Sequence, residues 1–416
     1  MNLPKINLSA ETLARFLGLM LIAWQPFWSG ARLPTLLLVL LGAWMLLHKQ
    51  IDFSSTAAKR LGMVFLLLGI PVLISIPGSY DVQGSISVAI VLLLFYVVGL
   101  ALLQGLAQDQ GRTWLQHWLL IVITAWVIDG CIQFVFGYDL LGVPMSEDKR
   151  ILGPFAGNLH LGLFATILLP LVLWQHARRH PWFALTLVGL VGFVAGMSGA
   201  RSNVLFLLLG CALLLPIFGW RQRVAMTGVV LATLIAATML SPSMAQRVKN
   251  FAQVSSPDEI SVEQQFDNIT SLRLTIWKSA WQMIQDRPLN GVGTNAFAEA
   301  YDHYSPAADD PFRSSGPMKT PYHAHQMYVS VAAESGWPGL IGLISIVVLS
   351  ALWLYRSPSE QRRQAAPFAA SLAVIAFPIQ SQPVLYSIWW FPVVLLLLCG
   401  MIAALNASPR TKKKPS

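Results

Sequence analysis

Charged residues are scarce in this chain. They make up 11% of its 416 residues, whereas 55% are hydrophobic and the mean hydropathy is +0.59. A soluble globular protein carries about 25% charged residues, so an ordinary soluble protein is excluded. Cysteine is rare as well: Cys131, Cys211 and Cys399 fall in apolar runs without metal-ligand spacing. We interpret them as small buried apolar residues.

Apolar runs that could cross a bilayer recur along the chain, each close to the roughly 20 residues that about 30 Å of hydrocarbon requires. We therefore expect an all-α, polytopic integral membrane protein with about twelve transmembrane helices. Their expected positions are 12–30, 33–48, 61–77, 85–106, 115–136, 158–176, 181–198, 202–219, 223–240, 337–355, 366–382 and 385–405.

The positive charges indicate a topology. The connections that would be cytoplasmic with the N-terminus inside hold most of the 28 Lys and Arg residues, as short cytoplasmic loops of membrane proteins do. We therefore expect both termini in the cytoplasm. The net charge of +9 is spread over loop ends instead of one soluble surface, so we expect no nucleic acid partner.

One long polar segment interrupts the apolar pattern between the ninth and tenth expected helices. It divides the chain into transmembrane helices 1–9 (residues 1–240), a long outer loop with interfacial helices (241–336), and transmembrane helices 10–12 with a basic cytoplasmic tail (337–416). A connection of this length is usually functional. With few apolar residues for a large core of its own, the loop should rest on the membrane domain.

Two short amphipathic helices are expected in this loop. Apolar residues recur at helical spacing over 269–285, where Trp277 and Trp281 indicate contact with the membrane interface. A second short helix should run from about 321 to 334, because the Gly- and Pro-containing segment 335–339 then interrupts the chain before the tenth span.

Three arginines at the outer boundary are candidate anion ligands. Arg201 follows a turn of small residues before a span, where a helix N-terminus and a guanidinium favour phosphate, although an Arg reaching the lipid headgroups fits equally well. Arg273 is an exposed interfacial residue unless it pairs with Arg201. Arg150 begins a glycine-containing segment that leads through Asn158 and His160 into the sixth span. This segment either binds a charged headgroup or sugar or anchors the connection.

The sequence His323-Ala-His325 offers a base. A lone His-x-His lacks a third ligand at recognised spacing, so we expect no metal. A neutral imidazole suits general-base catalysis near neutral pH, and neighbouring arginines would disfavour its protonated form. We assign this role to His325 and favour a structural role for His323. Asp129, an acidic residue within an apolar run, is a candidate partner of the site.

In their order along the chain, these elements resemble the bacterial O-antigen ligase and polymerase (Wzy_C) superfamily. The elements are Arg150 with the segment to Asn158, the turn 198–201, the segment 271–273, the Gly-x-Gly turn 291–297, and His325 followed by Glu334-x-Gly336-x-x-Gly339. The resemblance covers about residues 140–345 by motif and the whole chain by topology.

The resemblance implies an inverting, metal-independent membrane glycosyltransferase on the periplasmic face of a bacterial inner membrane, with no cofactor. In the O-antigen ligase (WaaL) branch, O-antigen glycan moves from undecaprenyl pyrophosphate to a sugar hydroxyl of the lipid A-core. Those two lipids and the membrane lipids are the implied partners. O-antigen polymerase and protein O-oligosaccharyltransferase remain alternatives. So does a lipid-linked glycan flippase or transporter, which should carry more charges deep in its spans.

Each candidate residue then has an expected role. His325 would be the general base. Arg201 and Arg273 would be catalytic and would bind the donor pyrophosphate, assisted by Arg150. Supporting roles are expected for His323, Asn158, His160, Asp129 and Glu334.

Overall fold

The computed structural model of the protein describes residues 9–27, 30–240, 272–305 and 310–407. Within these ranges the regular secondary structure is helical, apart from one isolated β-bridge between Tyr138 and Pro144. The α-helices are α1 (Ala10–Ala23), α2 (Arg32–Leu47), α3 (Thr56–Ser75), α4 (Val82–Leu106), α5 (Asp109–Phe136), α6 (Leu161–Leu173), α7 (Pro181–Met197), α8 (Arg201–Leu214), α9 (Trp220–Leu240), α10 (Arg273–Asp286), α11 (Phe297–Tyr304), α12 (Met327–Arg356), α13 (Ser359–Ile375) and α14 (Phe391–Leu405). The loop segment 241–271 and most of the basic tail lie outside the described residues.

In the described part of the chain, five helices are long and apolar enough to cross a membrane, namely α3, α4, α5, α9 and α12. Shorter apolar helices are α2, α6, α7, α14 and α8, which the 3₁₀ turn Leu215–Ile217 extends. α1 and α13 occupy the positions expected for the first and eleventh spans. The chain thus has the helices of an all-α membrane protein. The number of twelve spans, their orientation and the domain boundaries remain predictions.

Side chains at helix starts explain several boundaries. Ser9 caps α1, Ser55 caps α3 and Asp81 caps α4, and each side-chain oxygen accepts the N–H three residues ahead. These bonds satisfy donors that the first helical turn leaves open. A continuous apolar core then runs through the bundle, in which α14 is buried along its length against α4 and α13. The bundle thereby fixes where the connections at each end emerge.

α12 consists of two helical segments joined at a break. Ser335 and Gly336 have non-helical backbone angles, with φ +65° at Gly336, so the expected interruption is confirmed. The first segment starts at Met327, where the Gln326 side chain caps it. The expected start six residues earlier is wrong because His325 has φ +52°. That left-handed conformation cannot continue a right-handed helix.

A second, smaller apolar core lies in the loop. α10, α11 and the first segment of α12 build it. As expected, α10 buries the face that carries Ile276, Ala280 and Met283. α11 contributes Phe297 and Tyr301, both fully buried. The described part of the loop therefore folds around its own small core, which includes the start of a bundle helix.

The loop rests on the connection between α3 and α4, as expected. The N–H of Tyr80 donates to the carbonyl of Val292 at 2.9 Å. Ser75 Oγ accepts the N–H of Thr294 at 3.3 Å, and Ser85 Oγ donates to the Thr294 carbonyl at 2.9 Å. These buried bonds link the membrane bundle to the turn that follows α10.

Candidate functional site

Arg201 is the first residue of α8. The turn before it includes Gly199 with φ +70°, and Ala200 at the cap position makes no side-chain bond to the helix. Ser202 does not cap this helix, because it lies within the first turn. The cap residue therefore leaves the first-turn N–H groups open, and their partial positive charge adds to that of the exposed guanidinium.

Arg273 is likewise the first residue of its helix, α10, and Leu272 at the cap position makes no side-chain bond either. Burial, and then the charge of Arg201, lower the pKa of the Arg273 guanidinium. In the described part of the chain, neither arginine forms an ion pair with a carboxylate. The structure thus brings together two helix starts and two guanidinium groups that have no carboxylate partner among the described residues.

His325 lies near Arg273 in a strained backbone conformation. Its φ of +52° costs a non-glycine residue about 1–3 kcal/mol. The imidazole is 4.4 Å from that of His323, measured between ring centroids. Burial, then His323 and then Arg273 lower the pKa of His325 from 6.5 to about 4. The imidazole is therefore neutral at neutral pH.

Three hydrogen bonds hold the chain around both histidines. Trp277 Nε1 donates to the Ala324 carbonyl at 2.9 Å, and the Ala324 N–H donates to Ser330 Oγ at 3.0 Å. His323 Nε2 is 3.0 Å from the carbonyl of Ser381, which favours the tautomer with hydrogen on Nε2. Since Trp277 lies on α10, one helix carries an arginine of the site and fixes the histidines.

Sequence reasoning does not identify Trp277 or Ser330 as part of the site. We expected both loop indoles at the membrane interface, and Trp281 is indeed 53% exposed. The Trp277 indole instead donates inward to the histidine segment. The available signal was its position four residues after Arg273, since residues one turn apart lie on the same helix face. For Ser330 the sequence gives no signal.

Glu334 holds the Gly-x-Gly turn. Its carboxylate, which is buried, accepts the backbone N–H groups of Asn295 and Phe297, and its carbonyl accepts the N–H of Gly293 at 3.0 Å. A Cβ on Gly291 would lie 2.4 Å from the Glu334 carbonyl carbon, so the close approach of the two backbones requires glycine. Glu334 therefore supports the site by positioning, because it holds the loop against the first segment of α12.

Arg150 lies in the connection between α5 and α6. Its guanidinium forms an ion pair with Asp148, with 3.0 Å between Nη2 and Oδ2. The N–H of the next residue, Ile151, donates to the carbonyl of Met197 at 3.3 Å. Met197 ends α7, directly before the Arg201 turn. Arg150 is therefore close to this turn along the backbone, but its charge is already paired.

Asp129 anchors the same connection, because its Oδ1 accepts the N–H of Leu140 at 2.8 Å. Gln133, which is fully buried one turn later on α5, accepts the N–H groups of Leu152 and Gly153 at 2.8 Å each. The structure thus gives Asp129 an anchoring contact through Oδ1, and its expected partnership with the site stays a prediction. Sequence reasoning missed Gln133, because an uncharged amide in an apolar run is a weak signal.

Asn158 and His160 lie at the start of α6 in different surroundings. Asn158 is exposed, and its amide reaches only a carbonyl two residues back at 3.5 Å. The His160 ring packs against Trp389, with 4.4 Å between centroids. A Cβ on Gly162 would be 2.7 Å from Ser198 Oγ, so α6 begins beside the Arg201 turn. His160 is therefore near the site, whereas the described hydrogen bonds of Asn158 do not link it to the site.

The arrangement combines an anion site with a neutral base. Paired guanidinium groups stabilise negative charge that grows on a leaving group, and an imidazole can take a proton from an attacking hydroxyl. Among the described residues, no group of three or more His, Cys, Asp or Glu side chains could hold a metal ion. The independence from metal remains a prediction.

Residues 185–344 match the family model described as O-antigen ligase. The matched range runs from the start of α7 into the second segment of α12 and contains Arg201, Arg273, His325 and Glu334. Members of this superfamily are membrane glycosyltransferases that act as ligases or polymerases. A comparison with curated proteins found no match. Over its central part, the chain is therefore similar to membrane enzymes that handle lipid-linked glycans.

Proposed function

We propose that this protein is an O-antigen ligase. It would move O-antigen glycan from undecaprenyl pyrophosphate to a sugar hydroxyl of the lipid A-core, at the periplasmic face of a bacterial inner membrane. The observation that carries the proposal is the arginine pair. Arg201 and Arg273 each begin a helix, interact electrostatically, and have no carboxylate partner among the described residues, and the neutral His325 lies near Arg273.

A pyrophosphate matches this pair in charge and geometry. A guanidinium binds phosphate oxygens through two parallel N–H donors, and helix N-termini attract the same anions. At about 4 Å and an effective dielectric of about 20, each pair of opposite unit charges attracts by about 4 kcal/mol. Without an anion the two guanidinium groups repel each other, and a bound pyrophosphate relieves that repulsion.

The proposed reaction is a single displacement at the anomeric carbon. His325 takes the proton from the acceptor hydroxyl as its oxygen forms the new bond to that carbon. The bond from the anomeric carbon to the pyrophosphate oxygen breaks, and the leaving pyrophosphate keeps the electron pair. Arg201 and Arg273 stabilise the charge on it. Attack from the opposite face inverts the anomeric configuration, and undecaprenyl pyrophosphate is released.

The donor class agrees with the expected location. Nucleotide sugars are cytoplasmic, so a glycosyl donor on the outer side has to bring its own activated leaving group. A pyrophosphate on a polyprenyl lipid lies at the headgroup level, where an outer loop resting on helix ends meets the bilayer. In support, the turn after α10 is hydrogen-bonded to Tyr80 between α3 and α4 and to Ser85 on α4.

The nearest alternatives are O-antigen polymerase and protein O-oligosaccharyltransferase, which would use the same donor and differ in the acceptor. A flippase or other transporter would need charged groups along a path through the bundle. Asp129, an acidic residue on a described span, anchors a connection between helices and does not mark such a path. This favours a transferase.

The proposal is tested by transfer in a purified system. The full-length protein in nanodiscs receives undecaprenyl-pyrophosphate-linked glycan together with rough lipopolysaccharide that lacks O-antigen. We expect glycan-bearing lipopolysaccharide as the product, and undiminished transfer in excess chelator. Longer glycan on undecaprenyl pyrophosphate would identify a polymerase instead. Loss of transfer in chelator that Mg²⁺ or Zn²⁺ restores would refute the metal-independent mechanism.

Trp277→Phe should lower the transfer rate about tenfold. The substitution keeps an aromatic ring but removes the donor to the Ala324 carbonyl, and a hydrogen bond contributes about 0.5–1.5 kcal/mol, where about 1.4 kcal/mol is a factor of ten. Initial rates of lipopolysaccharide glycosylation measure the effect. Trp281→Phe is the matched control, because that exposed indole should change the rate less than twofold. Equal rates for the two variants would contradict a role of Trp277 in positioning the histidines.

A further inference from the structure

A cleft of about 330 Å³ lies next to His323, on the outer side of α4. It is lined by His323, Tyr322 and Asn295 from the loop, by Ser387 from the connection before α14, and by Ser87 on α4. Its volume is at the small end of the range of about 300–1,000 Å³ for ligand pockets. Three separate parts of the chain thus enclose a space large enough for a small polar group.

One face of α4 forms a wall of this cleft. Gly84, Ser87, Val88 and Val91 line it, at the spacing that places residues on one side of a helix. The wall is small and polar at the start of the helix and apolar further along. Ser87 Oγ donates to the Gln83 carbonyl of its own helix, and among the described residues no tertiary hydrogen bond depends on it.

The chemistry of the lining indicates a neutral, hydroxyl-rich ligand. No Lys or Arg is among the described lining residues, and the carboxylate of Glu334 already accepts two backbone N–H groups. The cleft therefore does not suit a phosphate. The Asn295 amide is exposed, and Ser387 Oγ accepts N–H groups and keeps its own proton for donation. The Tyr322 ring is 64% exposed, with the Lys319 ammonium over one face at 4.8 Å from the ring centroid, so its other face and its hydroxyl are available to a ligand.

The two histidines connect the cleft to the arginine pair. His323 lines the cleft, its ring is 4.4 Å from that of His325, and both imidazoles feel the charge of Arg273. A group bound in the cleft is therefore next to the proposed base, and a pyrophosphate at the arginines is next to it as well. Transfer needs this arrangement, because the acceptor hydroxyl has to approach the anomeric carbon from the side opposite to the leaving group.

We infer that this cleft binds the saccharide headgroup of the acceptor glycolipid. The polar end of the cleft contacts the saccharide, and the lipid part of the acceptor remains in the bilayer. The inference rests on the proposed function. It assigns Tyr322 and Asn295 as acceptor-binding residues and Ser87 as the position that limits access to the cleft.

Filling the cleft tests the inference. Ser87→Trp should raise the KM for rough lipopolysaccharide at least tenfold and change the KM for the undecaprenyl-linked donor less than twofold. Tyr322→Ala, in an exposed loop position, should also raise the acceptor KM. Tyr322→Phe keeps the ring and should leave the acceptor KM close to that of the wild type. Ile86→Trp is the matched control, since Ile86 is 43% exposed on the same helix and does not line the cleft.

The outcomes separate the inference from the proposed function. An unchanged acceptor KM in both Ser87→Trp and Tyr322→Ala overturns the acceptor site. A raised donor KM alone also overturns it and assigns the cleft to the donor glycan. If the wild type transfers nothing, the proposed function fails, and binding of soluble core oligosaccharide by saturation-transfer NMR decides about the cleft. Loss of that signal in Ser87→Trp but not in Ile86→Trp supports it, and equal signals refute it.

Discussion

His325→Asn should abolish transfer while the protein stays folded. A general base contributes about 10²–10⁴-fold to a rate, and the amide of Asn cannot take the acceptor proton. Asn is the appropriate replacement because it is enriched among residues with positive φ, so the backbone at φ +52° is retained. Transfer to rough lipopolysaccharide is measured with saturating donor and acceptor. We expect a rate at least 10²-fold below that of the wild type.

The controls for this variant address folding and binding. The thermal unfolding midpoint of His325→Asn should stay close to that of the wild type, and binding of undecaprenyl pyrophosphate should be preserved. A variant that keeps a tenth or more of the transfer rate would show that His325 is not the base. His323→Asn is the matched comparison. It loses the bond to Ser381 and should retain more activity than His325→Asn.

The pH profile follows from the same residue. The neutral imidazole is the active form, and burial lowers the pKa of His325 to about 4, so kcat/KM should stay constant down to about pH 5 and fall as the pH approaches 4. An unperturbed histidine would already lose activity near 6.5. Arg273→Gln removes a nearby positive charge and should move the inflection of the pH profile to higher pH.

The pH dependence of stability has to be separated from this effect. The unfolded chain protonates this histidine at higher pH than the folded chain does, so the free energy of unfolding also falls between pH 6.5 and pH 4. Unfolding is therefore recorded at each pH.

Removing either arginine of the pair should reduce kcat about 10²–10³-fold. This is the effect of deleting one group that stabilises charge in a transition state. Arg201→Gln and Arg273→Gln keep a polar side chain, and Arg273→Lys should also lose activity because an ammonium cannot form the two parallel N–H bonds. Transfer rates and donor KM measure the effect. Arg150→Gln should lose less than tenfold, because Asp148 already pairs with that guanidinium.

The thermal stability of the arginine variants distinguishes a loss of catalysis from misfolding. Burial and the charge of Arg201 both disfavour the charged form of Arg273, so the pair is a source of strain in the protein without substrate. The unfolding midpoint of Arg273→Gln should equal or exceed that of the wild type. A lower midpoint together with the lost activity would mean that the arginines are structural. Functional groups that destabilise the free enzyme are a common cost of activity.

The sequence predicted the candidate site better than the contacts that build it. The order of the motifs placed Arg201, Arg273 and His325 together, and helical spacing predicted the buried face of α10. The contacts missed are bonds between a side chain and a distant backbone group, such as those of Trp277 and Gln133. Such bonds depend on where the backbone of another segment lies. Neither residue type nor spacing encodes that position.

Span lengths were also less predictable than span positions. The first expected span covered 12–30, whereas α1 ends at Ala23. A turn follows it, in which Gln25 donates to the carbonyls of Leu21 and Trp389. Apolar composition continues through this turn, so hydropathy does not mark where the helix stops. Pro26 disfavours helical conformation at Gln25, and the buried Gln25 amide then fixes the turn to another part of the chain.

The break in α12 divides the helix into two segments that pack against different parts of the protein. A long bilayer helix adjusts to changes in membrane thickness by tilting. In α12 the segment before Ser335 packs in the loop core, near the histidines, and the segment after Gly336 lies along α3. The second segment is also bonded to the loop, because the Trp337 N–H donates to the Pro288 carbonyl at 2.8 Å. A change in its tilt would therefore act on the loop that holds the candidate site.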